Sequence, residues 1–335
     1  MTIPNTFVNG TTADADEVNA NLTYVNPVWD ITHIAAATFT SVIVHSSSAY
    51  SFMTFDGNIG LWNGTTYTNK NTTGTTYAYM TKCKTNAAYG VSVENGGNKV
   101  AFTSTSGTNW ISETVSPMGT ANYDISMPTT SLVVIGGNDA GGTDHIIYST
   151  DLSEGGGGTW NNAIMDTAVT VFALDMFDGT TGYAADGSSN ILKTADGALN
   201  WADTNDNVIG STSSSTVMYC IDADTVLIFN SGYLNYYVNS THTITTKFYD
   251  TLYNQYSGFV ETNGYIYIIL RDTTNVNGLL LYSGDSGVTW KEQIIPYRSG
   301  NSGGTQKRNC LEAYDTGKIM FVETGQIYKQ DRSAL

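Results

Sequence analysis

The sequence is poor in positive charge: Lys and Arg number 14, against 30 Asp and Glu in 335 residues, for a net charge of −16. Because a chain this acidic repels a phosphate backbone, nucleic acid is not expected as a partner. Charged residues of both signs make up only 13% of the chain, well below the share typical of soluble domains. The polar surface must therefore come from Gly, Tyr, Thr, Ser and Asn.

Long apolar runs are also missing. The apolar stretch 265–270 has the length of a strand, far short of the roughly 18 residues of a membrane helix, so no membrane insertion is expected. Residues 1–5 contain no basic side chain and no apolar segment follows them, which predicts that no secretion signal is present and that the chain folds in a cytoplasm.

Cysteine is scarce, with three residues that cannot all pair: Cys83, Cys220 and Cys310. They lack the CxxC or His/Cys spacing of a metal site, so we expect buried, reduced thiols, no bound metal and no cofactor. Their placement in the innermost strands of the repeats described below supports this interpretation.

What the sequence does contain favours an all-β protein. Hydrophobic residues make up 41% and aromatic residues 12% of the chain, which is enough burial to exclude disorder. The combination of 34 Gly with β-branched and aromatic residues, and only 5 Pro, is typical of many short strands joined by tight turns.

Tryptophan marks an internal repeat. Trp110, Trp160, Trp201 and Trp290 recur at one or two steps of about 44 residues, and Tyr67 occupies the matching place in an earlier repeat. The double step before Trp290 places a degenerate repeat near Thr245. Each Trp ends a similar stretch of sequence, which indicates repeated supersecondary units.

The residues before Trp290 form a complete S/T-x-D-x-G-x-T-W motif, with Ser283, Asp285 and Gly287 at its fixed positions. In such a turn the Asp accepts hydrogen bonds from turn amides, Gly permits positive φ, and Trp packs between sheets. Related versions of the motif contain Thr194, Asp196 and Trp201; Ser149, Asp151 and Trp160; and, with Thr in place of Asp, Trp110. The motifs resemble the Asp boxes of neuraminidase-type repeats.

Four strands per repeat of about 44 residues is the pattern of a β-propeller. Seven repeats begin near Thr40, Met80, Tyr123, Val171, Val217, Ser257 and Asn309. The last repeat lacks its outer strand, and an outer strand around Trp29 lacks a preceding repeat. The sequence therefore predicts a seven-bladed propeller over 27–335, closed by antiparallel pairing of residues 28–34 with 327–330.

Residues 1–26 lie outside the repeat and are predicted to form a docking segment. Asp14 and Glu17 resemble a capping box at the start of a short amphipathic helix, which cannot be stable alone. A frayed leader is the alternative. The apolar residues expected to make the docking contacts are Ile3, Phe7, Val18, Leu22 and Val25.

The stretch 3–21, IPNTFVNGTTADADEVNAN, resembles a leader found on bacteriophage tail-fibre, tail-spike and head-fibre proteins. The resemblance implies a virion component, assembled in the host cytoplasm and oligomeric in the particle, whose leader attaches to other virion subunits. It also implies that the remainder is a variable, host-facing module. The propeller itself implies a fold only, because propellers have many functions.

A sialidase would be the obvious enzyme on such a scaffold, and that family binds its substrate carboxylate with three arginines from separate blades. Here all four arginines follow residue 270. The carboxylate pairs Asp222/Asp224 and Asp139/Asp144 fit ordinary turns better than a glycosidase centre. The sequence therefore predicts a non-enzymatic, tail-associated virion protein of a fibre, spike or baseplate, used for host-surface recognition or particle decoration. A glycan-cleaving tail enzyme and a purely structural collar or capsid decoration protein are the alternatives.

A host cell-surface glycan is the candidate ligand. Tyr rings stack on sugars and Arg groups bind carboxylate or phosphate, so an anionic-glycan patch over blades five to seven is the hypothesis, with solvated surface charge as the alternative. Its candidate residues are Tyr253 and Tyr256 in the connection between blades five and six, Arg271 in a loop, and Tyr297, Arg298 and Arg308 between blades six and seven.

Overall fold

The computed structural model describes residues 30–33, 39–54, 57–70, 77–94, 97–116, 121–138, 144–152, 157–166, 169–251, 253–260, 264–272, 278–295, 310–315, 318–323 and 326–331. Within these residues the chain forms 29 strands, and a turn of 3-10 helix at Asn239–Thr241 is the sole helical element. No helix in this part of the chain is long and apolar enough to cross a bilayer. The prediction of an all-β fold is confirmed.

The strands follow one another in seven groups after a short first strand, β1 (Asp30–His33). The first group is β2 (Phe39–Ser46), β3 (Ala49–Thr54), β4 (Ile59–Trp62) and β5 (Tyr67–Asn69). The second group is β6 (Tyr77–Lys82), β7 (Gly90–Glu94), β8 (Lys99–Thr103) and β9 (Ile111–Thr114). The third group is β10 (Ala121–Ser126), β11 (Val133–Asn138), β12 (Asp144–Ser149) and β13 (Trp160–Asn162).

The remaining four groups continue in the same manner. The fourth is β14 (Ile164–Met165), β15 (Val171–Met176), β16 (Gly182–Asp186), β17 (Asn190–Thr194) and β18 (Asn200–Asn207). The fifth is β19 (Val217–Cys220), β20 (Thr225–Asn230), β21 (Tyr233–Val238) and β22 (Thr243–Tyr249). The sixth is β23 (Tyr253–Val260), β24 (Ile266–Asp272), β25 (Gly278–Ser283) and β26 (Lys291–Ile295), and the seventh is β27 (Leu311–Asp315), β28 (Lys318–Glu323) and β29 (Gln326–Asp331).

Each group forms its own sheet, and within a sheet each strand of the repeat pairs antiparallel with the next one along the chain. The first repeat strands contact one another in cyclic order: β2, β6, β10, β15, β19, β23, β27 and again β2. Six four-stranded sheets and one five-stranded sheet, whose first repeat strands close into a ring, make a seven-bladed β-propeller. The predicted fold is confirmed, and the predicted repeat starts lie in or beside these first strands.

The ring is closed by the N-terminal strand. β1 pairs antiparallel with β29, with Asp30 opposite Lys329 and His33 opposite Gln326, and thereby becomes the outer strand of blade seven. This confirms the predicted closure: residues 30–33 pair with 326–329, against the predicted pairing of 28–34 with 327–330. Both the lone N-terminal strand and the third strand of the last blade gain a partner, so neither presents that edge to other chains.

Blade four has a fifth strand that the sequence did not indicate. β14 lies in the connection from blade three and pairs parallel with β18, placing Ile164 opposite Asn200. The amide of Ile164 donates to the carbonyl of Leu199, and the amide of Asp166 donates to that of Trp201. The outer edge of this blade is therefore partly covered.

The core lies between the blades, because each sheet packs face to face against its two neighbours. β20 is buried at all six positions, as expected for a strand covered on both faces, whereas β26 exposes Lys291, Glu292 and Ile294. One apolar cluster combines Val91 of blade two with Ile135 of blade three. Inner strands are thus apolar on both faces and outer strands are largely polar, which explains the repeated pattern of the sequence.

Candidate functional site

The propeller has two faces with different connections. We call the face that carries the turns between first and second strands, and between third and fourth strands, the lower face. The upper face carries the connections between blades and the turns between second and third strands. Among the described residues, the upper-face segments include 187–189, 208–216 and 231–232. The predicted turn motifs all fall on the lower face.

The Asp285 carboxylate organises the turn between β25 and β26. Its Oδ1 accepts hydrogen bonds from the Ser283 hydroxyl at 2.8 Å and the Thr289 amide at 2.8 Å, and its Oδ2 accepts one from the Thr289 hydroxyl. These bonds, with that of the Thr289 hydroxyl first, lower the pKa of Asp285 to about 2. The carboxylate is therefore committed to the turn.

The same geometry recurs in three other blades. Asp196 accepts from the Asn200 amide at 3.0 Å, and Asp151 accepts from the Thr159 amide at 2.6 Å despite the glycine insertion between them. In blade two the Thr105 hydroxyl replaces the carboxylate and accepts from the amide of Asn109 at 3.0 Å. These four segments, 103–110, 149–160, 194–201 and 283–290, are called the carboxylate turns below, although a hydroxyl fills that role in the first.

Three of these turns contain two successive residues with positive φ: Ser106 and Gly107, Gly197 and Ala198, Ser286 and Gly287. Left-handed backbone at this point is the reason that the pattern favours Gly. At Gly107 a Cβ would also lie 2.2 Å from the Ser51 hydroxyl and 2.9 Å from Nε2 of His45, so blade one leaves no room for a side chain.

The tryptophans that follow the turns pack between blades, but their indole nitrogens have different partners. Trp201 and Trp290 donate to carbonyls of their own turns, at Ala198 and Gly287. Trp160 instead donates to Oε1 of Glu113 in blade two, at 2.9 Å. The Trp110 nitrogen is buried and has no hydrogen-bond partner among the described residues.

A polar network crosses the lower end of the ring. Nζ of Lys84 in blade two lies 2.7 Å from Oδ2 of Asp175 in blade four, and it also donates to a blade-four carbonyl. Asp175 further accepts from the Ser126 hydroxyl of blade three and the Cys220 amide of blade five, each at 2.9 Å. One carboxylate thus joins four consecutive blades, and Lys84 spans blade three to reach it.

A second charge pair joins blades two and seven, with Nζ of Lys82 at 2.9 Å from Oε1 of Glu312. Burial raises the pKa of Glu312, and Lys82 opposes that rise. Close by, His45 of blade one bonds to the Ala87 carbonyl and the Ser51 hydroxyl. Burial lowers the pKa of His45 to about 4, so its ring is neutral near pH 7. The lower end of the ring is therefore a structural junction.

The three cysteines are free and buried, as the sequence predicts. Cys220 ends β19, and Cys83 and Cys310 lie beside β6 and β27 rather than inside them. Burial raises the pKa of the Cys220 thiol well above its ordinary value, and its Sγ contacts the Asp175 carbonyl at 3.1 Å. Since the thiolate is the reactive form, Cys220 serves packing rather than chemistry.

The carboxylates of Asp222 and Asp224, a candidate glycosidase pair in the sequence, shape turns. Asp222 accepts from the amides of Asp224 and Thr225, at 2.7 and 2.8 Å. Asp224 accepts from the amide of Ser240 and from its hydroxyl. The other pair weighed, Asp139 and Asp144, includes a residue outside the described part of the chain.

Hydrogen bonds link the polar connection and turns of the upper face over blades four and five. The Asn230 side-chain amide donates to the Ile209 carbonyl at 2.9 Å, and the Ser231 hydroxyl donates to the Ser211 carbonyl at 2.9 Å. The Thr212 hydroxyl donates to the Asp186 carbonyl at 2.6 Å. Side chains thus bind the connection 208–216 to the turns of both blades.

Two tyrosines stand at the edge of this surface. Tyr233 begins β21 and Tyr249 ends β22, and the two residues are cross-strand partners. Their rings stack with centroids 4.2 Å apart and an interplanar angle of 26°. Tyr249 is 54% exposed. We call these two residues the tyrosine pair; the sequence did not indicate it, because the pairing depends on the register of a hairpin whose repeat motif is degenerate.

The structure changes the placement of three predicted ligand residues. Tyr253 and Tyr256 lie in β23, the innermost strand of blade six, rather than in the connection before it, and Arg271 lies near the end of β24 rather than in a loop. The reason is that these strands extend further toward the upper face than the pattern indicated. Tyr253 and Arg271 still lie at the upper ends of neighbouring strands, with Tyr253 opposite Asp272.

The other predicted ligand residues, Tyr297, Arg298 and Arg308, lie outside the described residues, as does the whole docking segment with Ile3, Phe7, Val18, Leu22 and Val25. Within the described part of the chain, no three His, Cys, Asp or Glu side chains are grouped as metal ligands would be.

Solved structures share the fold across nearly the whole chain. YCF48 bound to a D1 peptide matches with a TM-score of 0.64 at 12% identity, covering 91% of this chain and 95% of that chain. Virginiamycin B lyase from Staphylococcus aureus matches with a TM-score of 0.65 at 11% identity, covering 90% and 98%. A GH74 enzyme from Niastella koreensis matches with a TM-score of 0.63 at 16% identity, covering 90% and 54%. At such identities the comparisons show a shared fold and nothing more. No protein-family model and no curated protein matches the sequence.

These comparisons correct one expectation. The sequence was interpreted as that of a non-enzymatic protein, yet its structural neighbours include a lyase and a glycoside hydrolase. The same scaffold therefore supports catalysis, and the lack of a sialidase arginine triad excludes one chemistry rather than all of them. The fold by itself does not establish an activity for this chain either.

Proposed function

We propose that the chain is a component of a bacteriophage particle and that its propeller recognises a carbohydrate on the host surface. The observation that carries the virion assignment is the stretch 3–21, which resembles the leader of phage fibre and spike proteins. The carboxylate turns support kinship with Asp-box propellers, because their hydrogen bonds are those that the motif requires.

The way in which the ring closes supports different roles for the two faces, attachment for the lower face and ligand binding for the upper face. β1 is the outer strand of blade seven, and Asp30 pairs with Lys329 near the lower end of β29. The leader therefore joins the propeller at the lower rim. The lower end of the ring is occupied by the Lys84–Asp175 network, whereas the upper face carries polar connections and the tyrosine pair. A protein held by its leader would present the upper face outward.

Labelling and binding experiments test the two parts of this proposal. Antibodies raised against the full-length protein should label phage particles in electron micrographs. Fluorescent full-length protein should bind host cells, and periodate oxidation of the cell-surface sugars should abolish that binding. Unlabelled particles would refute the virion assignment, and periodate-resistant binding would refute carbohydrate recognition. Loss of cell-surface polysaccharide during incubation would show that the chain also cleaves its ligand.

A further inference from the structure

The tyrosine pair has the construction of a stacking platform. The Tyr233 ring packs on the backbone of Gly210, which has a φ of +89° and where a Cβ would lie 3.1 Å from the ring. The Tyr233 ring also stacks on the Tyr249 ring. Tyr249 is therefore backed by a ring that itself rests on backbone, and its orientation does not depend on a flexible neighbour. A preorganised aromatic ring binds at a low entropic cost.

The turn at 231–232, which directly precedes Tyr233, is also conformationally constrained. Ser231 and Gly232 have φ values of +49° and +85°, and a Cβ at Gly232 would lie 2.5 Å from the Asp250 carbonyl oxygen. The Asp250 amide donates to the Gly232 carbonyl, and the Tyr253 amide donates to the Asp250 carbonyl. The hairpin, the connection to blade six and the tyrosine pair thus form one unit.

Among the tyrosines whose side chains the structure describes, Tyr249 alone is exposed. Most large apolar side chains are buried, and Tyr249 keeps 54% of its surface exposed although it ends a strand. Ile209, which precedes Gly210 on the same face, is also exposed. Ser231, at the turn before Tyr233, is also exposed and carries a hydroxyl, whereas the Asn230 amide is buried and holds the Ile209 carbonyl. An exposed ring among hydrogen-bonding groups suits a ligand with apolar C–H faces and many hydroxyls.

The local charge selects among such ligands. The hydrogen bond with Tyr233 raises the pKa of the Tyr249 phenol, and the negative charge of the neighbouring Asp250 adds a smaller effect in the same direction. The net charge of the chain is −16. An anionic sugar would meet a negative potential here, so the tyrosine pair differs in preference from the arginine-based patch that the sequence indicated.

We propose that the exposed face of Tyr249, backed by Tyr233, is a subsite for an uncharged hexopyranose unit of a polysaccharide. This inference rests on the proposed carbohydrate recognition and names its location and ligand class. The ring would stack on the C–H face of the sugar, while the exposed Ser231 hydroxyl accepts a hydrogen bond from one of its hydroxyls.

Binding of the full-length protein to soluble neutral and anionic polysaccharides tests the subsite. The neutral probes are dextran, mannan and galactan, the anionic probe is polygalacturonate, and dissociation constants are measured by calorimetry. We expect at least one neutral probe to bind and Tyr249→Ala to weaken that binding tenfold or more. Tyr249→Phe, which keeps the ring, should stay within threefold of the parent. Ile294→Ala, at an exposed position on β26, is the matched control and should bind like the parent.

The outcomes separate the subsite from the broader function. If Tyr249→Ala binds the neutral probe like the parent, if Tyr249→Phe loses as much as Tyr249→Ala, or if polygalacturonate alone binds, the subsite is refuted while carbohydrate recognition stands. If no polysaccharide binds the parent, the subsite is again refuted. Periodate-sensitive binding to host cells then decides separately whether the proposed function survives.

Discussion

At the scale of single residues, several aspartate side chains shape turns by accepting hydrogen bonds within them. Asp151, Asp196 and Asp285 each accept hydrogen bonds from the side chain and the amide of one residue that follows four or more positions later. At Asp196 burial raises the pKa, but at all three residues these bonds leave the pKa of the carboxyl group lowered. A high count of carboxylates therefore does not indicate an active site here. The lowered pKa values of these carboxyl groups follow from hydrogen bonds within their own turns.

Asp285 should make stability depend on pH in the acid range. Its folded pKa of about 2 lies below the ordinary value of 3.8, so its contribution is complete above about pH 4 and is lost as the pH falls toward 2. We expect Asp285→Ala to lower the free energy of unfolding at pH 7 by on the order of 1 kcal/mol, as for loss of a capping side chain. Urea unfolding at pH 7 and pH 2.5 measures this.

The difference in the free energy of unfolding between the parent and Asp285→Ala should be smaller at pH 2.5 than at pH 7. Glu292→Ala, an exposed carboxylate on the strand that follows the turn, is the control and should leave stability nearly unchanged at both pH values. A difference for Asp285→Ala that is equal at pH 7 and pH 2.5 would show that the ionised carboxylate contributes nothing.

The indole nitrogens provide a second comparison at this scale. Trp201→Phe removes a hydrogen bond to a buried carbonyl, whereas Trp110→Phe removes a buried donor without a partner among the described residues. Leaving a buried acceptor unpaired costs about 1–3 kcal/mol, so we expect Trp201→Phe to be more destabilising by that amount. Thermal and urea unfolding of both variants measure the order; equal losses would contradict it.

At the scale of elements, one turn holds several blades together. The segment 83–89 between β6 and β7 carries Lys84, which reaches blade four, and Ala87, whose carbonyl bonds to His45 of blade one. Its length exceeds that of the two-residue turn at 47–48 in blade one. The extra residues allow this turn to contact blades on both sides, through the Lys84 side chain on one side and the Ala87 carbonyl on the other.

His45 should make this junction sensitive to mild acid. Its folded pKa of about 4 lies below the ordinary 6.5, so its contribution is complete above about pH 6.5 and is lost as the pH falls toward 4. A full shift of that size corresponds to at most about 3 kcal/mol. We expect His45→Gln to be less stable than the parent at pH 7.5 and to show a flatter loss between pH 6.5 and 4. An unchanged slope in urea unfolding across that range would count against the assignment.

At the scale of the whole molecule, stability depends on closing the ring. Because each blade packs on two neighbours, an open ring would leave the outer edge of blade seven unpaired and its contacts with blade one weakened. The closure uses four residues, 30–33, which join the beginning of the propeller to its end.

Deletion of residues 1–34 should therefore yield insoluble protein or a fall in melting temperature of about 10 °C or more, by the usual relation between stability and Tm. Deletion of 1–26 retains β1 and is the matched control, which should remain a folded propeller. Circular dichroism melts of both proteins measure the effect. A soluble 1–34 deletion that melts with the parent would show that closure by β1 is dispensable.

The sequence by itself determined the fold, the seven repeats and the turn motifs, because each depends on local patterns: apolar segments of strand length, Gly at left-handed positions, and Asp placed to accept nearby amides. It also determined the closing strand, because the last repeat lacks an outer strand and the segment around Trp29 lacks a preceding repeat. Tertiary structure alone decided the fifth strand of blade four, the Lys84–Asp175 junction and the tyrosine pair. These depend on which side chains meet between blades or across a hairpin register, and contacts between residues 91 apart, as in Lys84 and Asp175, leave no local pattern in a sequence.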